Sequence, residues 1–247
     1  MIPNLVEELP FAYVVDSELT DFVCSACMKR SPTPLSRCSK CKFSHYCGSR
    51  CQRSAWHDHK NECSFLIKVQ PRVPSTMVRL ISRIIMKLNV ADSPVAFNGR
   101  RFGDLVTHED DIKEDNEKSE FVITVAHILR DYIGEENLCT VPALTQIFGK
   151  VITNVFTISD EDLRTIGLGL YLGLSRLDHS CRPDAFVLFE GRKAILRSVE
   201  PDQLVYSDEL RIAYCDLLER KAVRQKQLRE QFYFECDCPR CTMDESV

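Results

Sequence analysis

The spacing of apolar residues along the chain predicts a mixture of helices and short strands. Apolar positions recur at helical intervals over Met77–Leu88 and Ser119–Ile133, and a third helix is expected to begin at Pro142. A polar helix rich in Lys and Arg is predicted at Leu217–Gln231. In the second helix, which Gly134 should end, the residues expected to face the core are Phe121, Val125, Ile128, Leu129 and Tyr132.

Strand-like runs follow in the second half of the chain. Ala185–Glu190 and Lys193–Val199 are short strand-like runs joined at Gly191, which predicts a hairpin, and Glu209–Tyr214 is a further candidate strand. The stretch from 104 to 120 holds two Lys and eight acidic residues, a net charge of −6, so we predict a solvated loop over Asp110–Lys118. Helices and strands kept apart in this way indicate an α+β fold.

Composition excludes several classes of protein. The 247 residues are 44% hydrophobic and 28% charged, as is usual for a folded soluble chain. The net charge of −4 argues against a general polyanion binder. The most apolar stretch, Met77–Leu88, contains Arg79, Arg83 and Lys87, so no membrane span is predicted. We expect a soluble monomer inside the cell.

Thirteen cysteines are the unusual feature, and most of them are spaced as zinc ligands. The odd count, and the absence of a signal peptide over 1–10, argue against a secreted disulfide framework. Ligand pairs separated by two or three residues suit tetrahedral zinc, and eight ligands make two closed, structural sites. His45 and His57 break this spacing and are predicted to be surface residues. The four pairs are Cys24 and Cys27, Cys38 and Cys41, Cys47 and Cys51, and His59 and Cys63.

This spacing, with Tyr46 before Cys47, Gln52 after Cys51 and Trp56 before His59, resembles a MYND zinc finger. The resemblance implies interleaved ligation, in which the first and third pairs share one zinc and the second and fourth pairs share the other. It also implies a protein-interaction module that takes short proline-rich peptides. The segment carries eight Lys or Arg against two acidic residues, a charge of +6, so nucleic acid is an alternative ligand.

A second cysteine cluster near the end of the chain supplies only three ligands, Cys236, Cys238 and Cys241. A fourth ligand must come from elsewhere in the chain. Cys181 and Cys215 both compete for that role on sequence grounds, whereas Cys139 has no informative surroundings.

Three segments in order, Leu177–Asp184, Glu209–Tyr214 and Phe232–Cys238, resemble the C-terminal half of a SET domain with its post-SET cysteines. With the zinc finger upstream, the chain resembles the SMYD family of protein-lysine methyltransferases. The resemblance implies a third zinc on Cys181 and the three late cysteines, with Cys139 and Cys215 as ordinary thiols. It implies these segments: 1–23, a remnant of the SET N-terminal part; 24–63, the MYND finger; 64–150, a helical insert; 151–234, the SET catalytic core; and 235–247, the post-SET cysteines.

The resemblance also implies the chemistry, which is methyl transfer from S-adenosylmethionine to a lysine of a histone tail or another protein. Residence in nucleus and cytoplasm is expected on the same ground. Tyr214 matches the catalytic tyrosine of the family, and Phe156 and Phe232 match residues of the lysine channel. Phe234 matches the residue that packs on adenine. The other positions that match cofactor-binding residues are His108, Asn154, Ser175, Asp178 and His179.

The chain departs from the family pattern at several positions. Asp178 and Asp184 stand where asparagines are usual, and an ionised Asp only accepts hydrogen bonds. Phe232 stands where a tyrosine is common, and the lost hydroxyl is expected to change how many methyl groups are added. The family's opening strand and glycine-containing loop, and its C-terminal helical domain, are expected to be missing. Two alternatives to an active enzyme therefore stay open: a zinc-stabilised adaptor without cofactor, and a nucleic-acid-binding zinc protein.

Overall fold

The computed structural model describes residues 4–90, 94–200 and 205–243, and it combines helices and strands as the sequence predicted. The outermost residues of the predicted segments 1–23 and 235–247 lie outside this described part. Its strands are β1 (Asn4–Glu8), β2 (Ala12–Val15), β3 (Ser36–Arg37), β4 (His45–Tyr46), β5 (Val155–Ser159), β6 (Thr165–Leu170), β7 (Asp178–His179), β8 (Ala185–Glu190), β9 (Lys193–Ser198) and β10 (Arg211–Ile212).

The helices surround these strands, and short 3-10 turns lie at Phe102–Asp104, Glu135–Asn137 and Leu174–Arg176. None of the helices within residues 4–90, 94–200 and 205–243 is long and apolar enough to cross a bilayer. The helices are α1 (Ser49–Val69), α2 (Thr76–Leu88), α3 (Glu109–Glu114), α4 (Asn116–Ile133), α5 (Val141–Asn154), α6 (Lys221–Phe232) and α7 (Pro239–Thr242).

Two small antiparallel sheets enclose one of the cores. β9 lies between β1 and β8, and β6 lies between β2 and β5. The predicted hairpin of β8 and β9 is confirmed, and it turns at Gly191, whose φ is 61°. A Cβ at this position would lie 2.1 Å from the carbonyl oxygen of Cys27, so only glycine fits. The Arg192 amide donates to that carbonyl at 3.1 Å, which seats the hairpin on the predicted finger.

The helices α2, α4 and α5 form a second core that packs against β2. The prediction for α4 is confirmed for Val125, Leu129 and Tyr132, which are buried, but it is wrong for Phe121 and Ile128. These two side chains are 45% and 38% exposed. The buried stripe of α4 also contains Val122, Ala126 and Ile133, and this stripe leaves the two mispredicted residues at its flanks.

The acidic segment is more ordered than its composition predicted. Instead of a solvated loop, residues Glu109–Glu114 form α3, and the single apolar residue Ile112 is fully buried. Asp115 then caps α4 by accepting a hydrogen bond from the Lys118 amide at 3.0 Å. A buried isoleucine and a helix cap thus help to order this acidic run, most of whose acidic side chains are exposed.

The last predicted strand and helix are shorter than expected. Of Glu209–Tyr214, only Arg211–Ile212 is strand, because the Leu210 amide bonds back to Ser207 in a turn, and the Tyr214 amide bonds to a histidine ring. β10 pairs in parallel with β7. The helix predicted from Leu217 begins at Lys221.

Candidate active site and metal centres

The predicted finger gathers its ligands into two groups of four, Cys24, Cys27, Cys47 and Cys51, and Cys38, Cys41, His59 and Cys63. Within each group the ligand atoms lie within 4.8 Å of one another. Four sulfurs at 2.3 Å from a zinc ion are about 3.8 Å apart, and Cys27–Cys47 and Cys38–Cys63 are each separated by 3.8 Å. The residues therefore fit two zinc ions with the interleaved pairing that the sequence resemblance implied.

Helix α1 carries three finger ligands and then continues to Val69, so the finger and the helical core share one rigid element. His59 turns its Nε2 toward Cys41 Sγ at 3.7 Å and its Nδ1 toward Ser44 Oγ at 3.4 Å. Such a partner on the far ring nitrogen orients a zinc-binding imidazole. His57 is exposed on α1, as predicted, whereas His45 is half-buried in β4, with Nδ1 2.9 Å from the Phe43 carbonyl, so the prediction of a surface position is wrong there.

A buried ion cluster joins α1 to α2 and β2. The Glu62 carboxylate binds the guanidinium groups of Arg79 and Arg83, and all three side chains are less than 8% exposed. The two arginines also donate to the carbonyls of Val15 and Tyr13 in β2. The arginines hold the pKa of Glu62 well below its usual range against the opposing effect of burial.

The third metal centre lies at the other end of the molecule. Cys181, Cys236, Cys238 and Cys241 are all buried with their sulfurs within 4.8 Å of one another, and Cys181 and Cys241 are 3.5 Å apart. Cys215 also approaches Cys181, but together with His179 it completes a group of only three. The geometry therefore favours Cys181 as the fourth ligand, as the family resemblance implied.

Arg224 compensates the charge of this third group. Four thiolates around one zinc ion carry a net charge of −2, which is costly to bury without a cation nearby. Arg224 is fully buried, with its Nε 3.3 Å from Cys181 Sγ and its Nη2 4.0 Å from Cys241 Sγ. The sequence did not predict this role, because Arg224 is one of several basic residues in a polar helix.

His179 connects the third metal centre to the predicted catalytic tyrosine. Its Nδ1 accepts a hydrogen bond from the Tyr214 amide at 3.0 Å, which leaves Nε2 as the protonated nitrogen, 3.3 Å from Cys181 Sγ. Burial, reinforced by the charge of Arg224, lowers the pKa of His179 to about 4, so the imidazole is neutral at pH 7. A neutral imidazole with both nitrogens bonded holds the backbone at Tyr214 against the metal centre.

The Tyr214 side chain lines a cavity of about 390 Å³. Its hydroxyl donates to the Leu177 carbonyl, and its ring centroid lies 4.8 Å from that of Phe232. Burial, with a further contribution from Asp178, raises the pKa of Tyr214, so the phenol stays neutral. Phe156 lines the same cavity, so the structure brings the predicted catalytic tyrosine and both predicted channel residues together.

The six predicted cofactor residues occupy four different places in the structure, and His108 is the one farthest removed in its contacts. Asn154 and Ser175 line the cavity directly. His179 and Phe234 lie behind Tyr214, with their rings 5.9 Å apart. Asp178, in β7, is exposed to solvent.

His108 lies apart from the rest of the predicted site. It precedes α3 in a left-handed conformation, and its ring stacks on that of Tyr233 at 4.7 Å. Its Nδ1 is 3.0 Å from Asp111 Oδ2. The link to the site therefore runs through Tyr233, which stands between Phe232 and Phe234 in the chain.

Sequence reasoning missed several parts of this cavity. The Leu177 carbonyl is a backbone group, so its role cannot be predicted from the type of residue at that position. Gln227 and Gln231 of α6 also line the cavity, and their spacing of four on a helix of charged residues was a signal that could have been used.

Comparison with known proteins identifies the finger and the rest of the chain. The family model described as MYND finger matches residues 24–63. Histone-lysine N-methyltransferase SMYD3 of Homo sapiens is 37% identical over 243 residues, which cover 96% of this chain and 56% of that protein. N-lysine methyltransferase SMYD2-B of Danio rerio is 34% identical over 94% of this chain and 53% of its own length. Over the span that it shares with these relatives, the chain is similar to the SMYD family.

A plant protein, histone-lysine N-methyltransferase ASHR1 of Arabidopsis thaliana, is 29% identical over 96% of this chain and 50% of its own length. The chain thus spans about half the length of the curated relatives that it matches. SMYD methyltransferases use S-adenosylmethionine, and the 390 Å³ cavity is within the size range of small-molecule sites. Asn154, Ser175 and the rings of Phe156, Tyr214 and Phe232 line this cavity, so the residues present fit a cofactor that has both polar and aromatic parts.

Proposed function

We propose that this protein transfers a methyl group from S-adenosylmethionine to a lysine of a histone or another protein. The observation that carries the proposal is the shared cavity, in which Tyr214, Phe156 and Phe232 form an aromatic wall beside Asn154 and Ser175. The cofactor, when bound, supplies a methyl group already activated by a sulfonium. The protein therefore has to position the amine, exclude water and keep the amine neutral.

The aromatic wall meets the last requirement. A lysine with a pKa near 10.4 is neutral in only about one molecule in two thousand at pH 7. Burial between Phe156, Phe232 and the Tyr214 ring removes water from the ammonium and lowers its pKa. The Tyr214 hydroxyl donates its proton to the Leu177 carbonyl, so its oxygen can still accept a hydrogen bond from the amine without ionising.

Calorimetric titration of S-adenosylmethionine into the zinc-loaded protein is the first test. We expect saturable binding that is weakened by Asn154→Ala and lost in His179→Ala, with zinc content measured for each variant. A folded wild-type protein that holds three zinc ions and binds no cofactor would overturn the enzyme proposal and leave the adaptor alternative. Asp178 is the reason to test the adaptor alternative, because an ionised Asp cannot donate the hydrogen bond that an asparagine would supply to the cofactor.

Tyr214→Phe tests the chemistry separately from binding. The ring stays and the hydroxyl is lost, so we expect methylation of a histone mixture to fall by about a hundredfold. The cofactor dissociation constant should change by no more than about threefold, because the affected group faces the amine. A Tyr214→Phe protein that methylates at the wild-type rate would show that this hydroxyl has no role in the reaction.

We infer a second activity for the finger, the binding of proline-rich peptides. Trp56 is 42% exposed on α1 next to His59, with ring centroids 6.1 Å apart, and polyproline segments dock on exposed aromatic side chains. Because Trp56 is the only tryptophan of the chain, its fluorescence reports binding directly. A proline-rich peptide should shift the emission, and a peptide of equal length and charge in which the prolines are replaced by alanine should not.

Because the finger is basic, the same experiment should also be run with nucleic acid as the ligand. Binding to a duplex that falls steeply with salt, while the peptide gives no signal, would favour it. We propose residence in nucleus and cytoplasm, consistent with histone and non-histone substrates. Microscopy of a tagged full-length protein checks this.

A further inference from the structure

The turn at Leu174–Arg176 is held by a residue far away in the chain. Ser175 and the neighbouring Leu174 and Leu177 line the cavity, and the Leu177 carbonyl receives the Tyr214 hydroxyl. The first amides of such a turn have no acceptor within it. Here the carboxylate of Glu8, 165 positions earlier, fills that need: Oε1 accepts from the Gly173 amide at 2.8 Å and Oε2 from the Leu174 amide at 2.9 Å.

Glu8 is an unusual place for a carboxylate. It is the last residue of β1 and only 9% exposed, and glutamates are rarely so buried without a cation. The bonds recorded for its carboxylate in the described part of the chain go to two backbone amides. A buried carboxylate whose two oxygens both accept hydrogen bonds from one turn fixes the position of that turn.

The same peptide is gripped from its other side. Asn98 Nδ2 donates to the Gly173 carbonyl at 3.2 Å, and the Phe97 ring packs over Gly173. A Cβ at Gly173 would lie 2.3 Å from the Phe97 ring and 3.0 Å from Glu8 Oε2, so a larger residue here would have to displace one of these two side chains. The residue that precedes the turn is therefore held by Glu8 on one side and by Asn98 on the other.

We propose that Glu8 is a positioning residue for the methyl-transfer site, acting through the Gly173 and Leu174 amides on the cavity wall and on the Leu177 carbonyl that orients Tyr214. This inference rests on the proposed function, since the wall it places is the wall of the cofactor cavity. Neither the sequence pattern nor the family resemblance assigned a role to Glu8.

The test compares Glu8→Gln with Glu7→Gln. Glutamine has nearly the same shape, but one of its terminal atoms is an NH₂ group that faces an amide N–H, so the turn loses one of its two acceptors. Glu7 is the matched control, because it is adjacent in β1 and its exposed carboxylate binds Lys193 at 2.8 Å on the surface. Both changes remove one negative charge from the same strand.

Two readouts are measured on the zinc-loaded full chain. In Glu8→Gln we expect hydrogen exchange of the Gly173 and Leu174 amides to accelerate by about tenfold or more, and the affinity for S-adenosylmethionine to fall by about tenfold. Glu7→Gln should leave both at wild-type values. Unchanged cofactor affinity in a Glu8→Gln protein whose amides exchange faster would overturn the positioning role while leaving the proposed function intact.

A wild-type protein that binds no cofactor would instead overturn the proposed function, and the positioning role with it. If Glu8→Gln fails to fold, Asn98→Ala loosens the same peptide from the opposite side. It should then accelerate exchange at Gly173 and weaken cofactor binding by a few-fold in the same direction. Asn98→Ala with wild-type affinity would count against the proposal.

Discussion

The buried cluster around Glu62 offers the sharpest test of how the finger is attached to the rest of the molecule. Glu62→Gln keeps the shape of the side chain and removes its charge. Arg79 and Arg83 would then remain buried, with exposures of 2% and 7%, without the carboxylate that binds both of them. Their bonds to the β2 carbonyls would stay, so the change isolates the ionic contribution.

The expected magnitude follows from the geometry. A pair of unit charges about 4 Å apart in a medium of dielectric about 20 gains roughly 4 kcal/mol, and Glu62 makes two such pairs, one of them an Arg79 contact of 2.9 Å. Desolvation of the three ions offsets much of this sum. Removing one partner of a buried pair costs about 3–5 kcal/mol, and we expect Glu62→Gln near the lower end because the amide oxygen still accepts a bond.

Urea denaturation in excess zinc measures the free energy of unfolding, and zinc content is checked for each protein. Asp58→Asn is the matched control, since Asp58 also joins α1 to α2 through Lys87 at 2.8 Å, but these side chains are 23% and 21% exposed. The control should cost less than about 1 kcal/mol. Equal losses for the two variants, or no loss for Glu62→Gln, would refute the idea that burial makes this cluster the main tie.

Three further predictions address the third metal centre, the acidic segment and Glu8. Arg224→Met should release zinc from one of three sites at about 10–100-fold lower chelator concentration, because the buried thiolates lose their counter-charge; a chromogenic chelator follows the release. Ile112→Ala should lower the free energy of unfolding by about 2–5 kcal/mol, whereas Ile123→Ala, at a 51% exposed position, should cost less than about 1 kcal/mol. Burial raises the pKa of Glu8, opposed only in part by its bonds to Gly173 and Leu174, so the amide resonances of these two residues should titrate with a midpoint above the usual glutamate value, measured by NMR.

The raised pKa of Glu8 makes the free energy of unfolding depend on pH. Because the folded pKa of Glu8 lies above the unfolded value, the stabilisation linked to its protonated form is complete below the unfolded pKa and is lost as pH rises through the folded pKa. Comparing wild type with Glu8→Gln across that window should show a difference in stability that varies with pH. Simultaneous release of all three zinc ions from Arg224→Met, or equal costs for the two isoleucine variants, would contradict the other two predictions.

Much of the metal chemistry could be read from the residues alone. Pairs such as Cys24 and Cys27 are local, and a gap of two or three residues by itself brings two ligands to one ion. The choice between Cys181 and Cys215 was different, because both are distant in the chain from Cys236. Only the path of β7 and the segment after β10 decides which sulfur reaches the late cysteines.

Which residues of a helix are buried also depends on the tertiary structure. The period of apolar residues predicted α4, but Phe121 proved exposed, since the part of the stripe that is covered depends on where α2 and α5 lie. Ile112 was hidden within an acidic run, and its burial is a consequence of neighbours that sequence spacing does not show.

The sequence by itself determined the zinc ligand pairs, the hairpin at Gly191 and the α+β character, because each depends on residues close together in the chain. The tertiary structure alone decided that Glu8 supports the cavity wall, that Glu62 ties the finger to β2 and that Arg224 neutralises the third metal centre. These three charged side chains are buried, and a buried charge is stable only beside partners that the fold supplies. Their identity in the sequence looks like that of any surface residue, so their roles become visible only when the chain is folded.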